Sequence, residues 1–204
     1  MFDVFYMPDA ECTKLQDKTA KQVPGMGSML VSQELGRRIL ALRLARDLSQ
    51  EDLEERAPLR AGRACRMEQG LHDAKVYSVL VVCRGLQAHP TDLCLGIVHR
   101  LVPWVAEAIP LRPAEVVNLC EATVARHIGD RVKAERLRLR LTQAQLASRA
   151  TLSLSTVQRT EEGITLGQLA PLCTLASCFG LELNDLLPPP PLTRNQCHSA
   201  TERR

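Results

Sequence analysis

A chain of 204 residues has room for one ordinary domain or two small ones, and its net charge of +3 excludes a polybasic binder, so any attraction for phosphate must come from locally clustered arginines. The hydrophobic fraction is 45% but aromatics are only 3%, so a core must be built from Leu, Val, Ile and Ala, which favours helices over strands. No apolar run approaches the roughly 18 to 20 residues that span a bilayer, and the polar, acid-containing N-terminus lacks the design of a signal peptide, so a cytoplasmic protein without membrane contact is expected.

In chain order, residues 1–32 show no sustained period and contain Pro8, Pro24, Gly25 and Gly27, which predicts a poorly ordered arm. A first helical unit is expected over 33–96, with Ser49 and Asp52 spaced to cap a short helix. Residues 97–127 read as a helical linker, because Ile97–Ile109 and Pro113–His127 carry helical patterns that continue into the next helix. Trp104 lies there beside Val102, Val105 and Ile109, a setting for core packing or a subunit contact. A second unit is expected over 128–187. Ile128, Val132, Leu137 and Leu139 mark its first helix, Thr142 with Gln145 makes a capping box for a helix over 143–150, and Ser153 caps a third that stops at Gly163. A fourth helix over 166–179 and a short fifth over 182–187 precede a tail, 188–204, that starts with four prolines.

The eight cysteines include no Cys-x-x-Cys pair, and the five histidines show no ligand spacing, so neither a metal nor a cofactor is expected. Cys83, Cys94, Cys120, Cys173 and Cys178 fall in apolar patterns and read as small reduced core residues. No Gly-rich phosphate loop or nucleophile with a base appears, so no enzyme is expected.

The sequence repeats itself. Sliding 35–70 onto 128–163, an offset of 93, gives fourteen identities in 36 gapless positions, among them Gly36/Gly129, Arg43/Arg136, Gln50/Gln143, Leu53/Leu146, Arg66/Arg159, Glu68/Glu161 and Gly70/Gly163. Conservative pairs such as Val76/Leu169 and Leu93/Leu186 extend the unit to about 60 residues.

Within each copy, Leu48-Ser49-Gln50-x-x-Leu53 and Leu141-Thr142-Gln143-x-x-Leu146, followed by Glu68-x-Gly70 and Glu161-x-Gly163, resemble the phage Cro and repressor family of helix-turn-helix proteins over about 120 of the 204 residues. The resemblance implies an all-α fold: two tandem five-helix, lambda-repressor-like domains joined by the linker, each laying its third helix in the major groove of DNA. By that likeness Gln143 and Gln50 stand at the start of the second helix, where backbone N–H groups and the amide hold a phosphate. Ser153, Leu154, Ser155 and Thr156 open the groove-facing helix of the second copy, and Arg159 follows one turn later, suited to a two-pronged contact with guanine.

The first copy departs from the family pattern. Glu54 stands where the second copy has the small Ala147, which puts close packing of the helix pair in doubt, and Gly62 offers no side chain to a base. Arg60, Arg63 and Arg66 project either as a stripe for phosphate and guanine, or as a solvated face paired with Glu55, Glu68 or the linker. The expected function is a sequence-specific double-stranded DNA-binding transcriptional regulator of a bacterium or phage, a repressor working as a pseudo-dimer. The competing expectation is a protein-interaction module, anti-activator or antitoxin-like, with one unit not binding DNA. Expected partners are an operator and a second copy of the chain held through the linker helices, with no small-molecule ligand.

Overall fold

The computed structural model describes residues 26–71, 74–97, 104–164 and 166–190, with side chains from Leu30 onward. Most of the expected arm and the tail from 191 lie outside the described residues. Eleven α-helices occur among those described: α1 (Met26–Leu44), α2 (Gln50–Arg56), α3 (Arg63–Glu68), α4 (Val76–Gly85), α5 (Pro90–Cys94), α6 (Ala114–Val117), α7 (Glu121–Arg138), α8 (Gln143–Ala150), α9 (Leu154–Glu162), α10 (Leu169–Phe179) and α11 (Leu183–Leu186). A 3-10 turn at Ala106–Ala108 precedes α6. The chain is all-α, and among the described residues no helix is long and apolar enough to cross a membrane.

Capping chemistry sets the short helices. Ser49 Oγ accepts from the Asp52 amide at 3.0 Å while the Asp52 carboxylate accepts from the Ser49 amide at 2.8 Å, which starts α2. Thr142 and Gln145 do the same for α8, at 3.1 and 2.8 Å. Ser153 caps α9, and Gly163, at φ 62°, ends it in the left-handed region that a residue with a Cβ enters at a cost.

Helix starts recur at an interval of 93: Gln50 and Gln143, Val76 and Leu169, Pro90 and Leu183. The two halves also meet through equivalent segments. Lys75 and Gln168, 93 apart, form an antiparallel bridge in which the Val76 amide donates to the Gly167 carbonyl at 3.0 Å and the Leu169 amide to Ala74 at 2.8 Å. Beside it α5 packs on α11, and α10 packs on α1. One apolar cluster runs through both halves, from Leu35, Ile39 and Leu53 to Leu146, Leu175 and Leu183.

Helix α1 starts at Met26, inside the stretch expected as an arm, because Leu35, Ile39 and Leu42 on one stripe bury a helix whose earlier turns extend out to Leu30. The linker differs more. Instead of continuous helix, 104–120 holds one 3-10 turn and the single-turn α6, since Pro110 and Pro113 deny the ladder its donors. It is strapped to the first half: the Arg112 amide donates to Gln87 O at 2.8 Å, its guanidinium grips both oxygens of Asp92 at 2.9 Å, and Arg84 donates to Leu119 O at 2.6 Å. Trp104 donates to Asp92 O at 2.8 Å and covers Arg38, whose guanidinium lies 5.2 Å from the ring centroid. Arg38 is 2% exposed and donates to Leu93 O, Leu95 O and Glu34. Its counterpart Arg131 stays 42% exposed at the side chain. Between 104 and 120 the one α-helical turn, α6, has Val116 and Val117 buried, and the linker's last residues, 121–127, form the start of α7. Cys120, expected in the core, is exposed at the start of α7.

Gly36 and Gly129 mark where the first helix of each half crosses the third. A Cβ on Gly129 would lie 2.7 Å from Thr160 O and 2.8 Å from Glu161 O, and one on Gly36 would strike the carbonyls of Met67 and Glu68. Gly129→Ala should lower stability by about 1–3 kcal/mol despite alanine's better helix propensity. Gly167→Ala, where a Cβ meets nothing within 4 Å, should stay within about 0.5 kcal/mol. Thermal unfolding of the two variants compares them directly.

Candidate nucleic-acid interface

The second-half interface begins with its support. Leu146, Ala147 and Ala150 on α8 and Val157 on α9 are buried, so the helix pair closes on small and branched side chains. Thr151 makes the turn between them at φ 55°. Under α9, the Arg136 guanidinium of α7 donates to the two oxygens of Glu161 at 2.6 and 2.9 Å and to Leu141 O at 2.9 Å, and Gln143 Nε2 donates to Glu161 Oε2 at 2.8 Å. Three helices and a loop are thus tied at one carboxylate. Burial pushes the Glu161 carboxyl up, but the bonds from Arg136 and Gln143 outweigh it and hold the group below its ordinary 4.5.

The first half repeats this network. Arg43 donates to Glu68 at 2.6 and 3.1 Å and to Leu48 O at 2.7 Å, and Gln50 Nε2 reaches Glu68 at 2.7 Å. Both glutamines expected to offer an amide to phosphate give one N–H of that amide to the network and keep the other. Available to a phosphate at these positions are that second N–H and backbone N–H groups at the start of α2 and α8.

With its inner face fixed, α9 turns Leu154, Ser155, Gln158, Arg159 and Glu162 outward, all exposed and spread over an arc of about 140°. Leu154 is 43% exposed. Ser153 Oγ lies 2.9 Å from Ser155 Oγ and 2.7 Å from Thr156 Oγ1, a cluster of hydroxyls at the helix start. The expected residues Ser153, Leu154, Ser155, Thr156 and Arg159 therefore gather at one edge and along one face. Gln158, missed in the sequence, joins them; its place one turn after Leu154 is the signal that would have found it.

In the first half, α3 is shorter and starts only at Arg63, after Gly62 at φ 71°. The Glu54 carboxylate accepts from the Gly62 amide at 3.0 Å and from the Ala64 amide at 2.8 Å. Rather than wedging the helix pair apart, Glu54 joins it. Of the expected Arg60, Arg63 and Arg66, Arg63 turns inward to Ser78 Oγ at 3.2 Å, Arg66 stays exposed with its Nε on Gly62 O at 3.2 Å, and Arg60 is exposed without a described side-chain bond.

Glu34 is held at about 2, first by its bond from Arg37; burial opposes this, and the bond from Arg38 and the charges of both guanidiniums lower it further. Carboxyls lowered in the folded state, Glu161 and Glu34, stabilise the fold fully above about pH 5, and that contribution is lost as pH falls toward about 2. Denaturant unfolding across this window should show stability falling with acid. Glu161→Gln should cost about 3 kcal/mol at neutral pH, by leaving Arg136 uncompensated, and should flatten the acid slope. In comparisons with known proteins, no family model, curated protein or solved structure matches this chain.

Proposed function

We propose that the chain is a sequence-specific double-stranded DNA-binding transcriptional regulator, a cytoplasmic repressor of the Cro and repressor type. In it two tandem five-helix domains, α1–α5 and α7–α11, stand in for the two subunits of a dimer. The observation that carries this reading is α9: a helix pinned from behind by a buried ion pair, with hydroxyls at its start and Arg159 and Gln158 on its open face. Arginine pairs with guanine O6 and N7, glutamine with adenine N6 and N7, and a serine or threonine hydroxyl with phosphate or a base edge. The meeting of Lys75 with Gln168 and of α5 with α11 supports the pseudo-dimer, since a two-fold contact joins the same patch of each partner.

A second reading, a protein-interaction module with one domain off DNA, is favoured by the first half, where Arg63 and Arg66 bond within the protein. The readings separate on selection of bound sequences from random duplex DNA. For the regulator, a defined sequence is enriched and its binding weakens steeply with salt, as released counterions require. Arg159→Ala should weaken the selected site roughly 10- to 100-fold and leave random DNA nearly unaffected. No enrichment, with salt-insensitive capture of a protein instead, would replace the regulator with the module.

A further inference from the structure

We infer that Glu54 is a specificity-determining residue that holds the first domain's third helix out of close contact with DNA, so that the two heads read unequally; this rests on the regulator reading above. Position 54 and position 147 are equivalent under the interval of 93, and the second head has alanine there. That alanine is 4% exposed and merely fills the space between α8 and α9. In the first head the same position carries a carboxylate, which lies across the gap on the amides of Gly62 and Ala64. Those amides begin α3, the edge that in the second head carries the neutral hydroxyls of Ser153, Ser155 and Thr156.

A carboxylate fixed there meets the line of phosphates that borders a major groove, and like charges at that range repel even through water. Of the neighbouring cations, Arg60 is exposed ahead of Gly62 and outside α3, and the other two are bonded within the protein. Arg63 is drawn down to Ser78, and Arg66 is bent onto Gly62 O beside the carboxylate, whereas Arg159 stands open on α9. The first head thus presents a negative group where its sister presents donors, within one chain and on one scaffold. The operator that results has one half-site read at bases and one touched weakly along the backbone.

The test uses the full chain as wild type, Glu54→Gln, Glu54→Ala, Arg66→Ala and Arg159→Ala, with sequences selected from random DNA and then footprinted. Wild type should protect one half-site strongly, lose it with Arg159→Ala and tolerate Arg66→Ala. Glu54→Gln removes the charge and keeps the length; it should tighten binding by about tenfold in low salt, steepen the salt dependence by about one phosphate contact, and extend protection toward the first head. Glu54→Ala should do the same if it remains folded by circular dichroism. Unchanged affinity and footprint in a folded Glu54→Gln, or a wild type that Arg66→Ala weakens as much as Arg159→Ala does, would overturn the role of Glu54. Absence of any enriched sequence for wild type and both Glu54 variants would instead overturn the regulator reading, and the inference with it.

Discussion

Everything at the candidate interface depends on one buried ion pair that occurs twice, Arg43 with Glu68 and Arg136 with Glu161. Each guanidinium is nearly sealed from solvent and meets its carboxylate with both prongs, and each also donates to a loop carbonyl, Leu48 or Leu141. A glutamine from the next helix completes the set. Burying such charges is expensive, and an apolar substitute of equal volume is often no less stable. What the ion pair contributes that an apolar contact does not is direction. A planar fork accepts one arrangement of first helix, second helix and third helix, so the outward face of α9 is determined by what lies behind it.

The glycine crossings work with this pair. Gly36 and Gly129 let the first helix approach the carbonyls of the third closely enough for the arginine seven residues further along to reach the glutamate. A larger residue would widen the crossing and lengthen the ion pair together. Two features that are distant in the sequence are in this sense one joint.

Much of this was legible in the sequence because capping is local. Thr142 with Gln145, Ser49 with Asp52, Ser153 and Gly163 act within a single turn of chain, and their expected and observed roles agree. The ion pairs were visible only as identities of the repeat, since nothing in the spacing of Arg136 and Glu161 says that they touch. The linker, expected helical over 97–109 and 113–127, is helical in its last part, where α7 begins at Glu121, but over 104–120 it holds only single turns around Pro110 and Pro113; Cys120, assigned to the core from the same apolar pattern, is exposed. Glu54 was read as an intruder in the helix pair. Its partners are backbone amides eight and ten residues away, and amides carry no signature that a sequence can display.

The bridge between Lys75 and Gln168 joins two segments of a single chain, so its formation is a unimolecular event. A pair of separate subunits assembles with the square of concentration and falls apart on dilution, whereas tethered copies face each other at an effective concentration fixed by the linker. The contact between the two halves therefore forms at any abundance of the molecule, without the threshold that subunit assembly imposes.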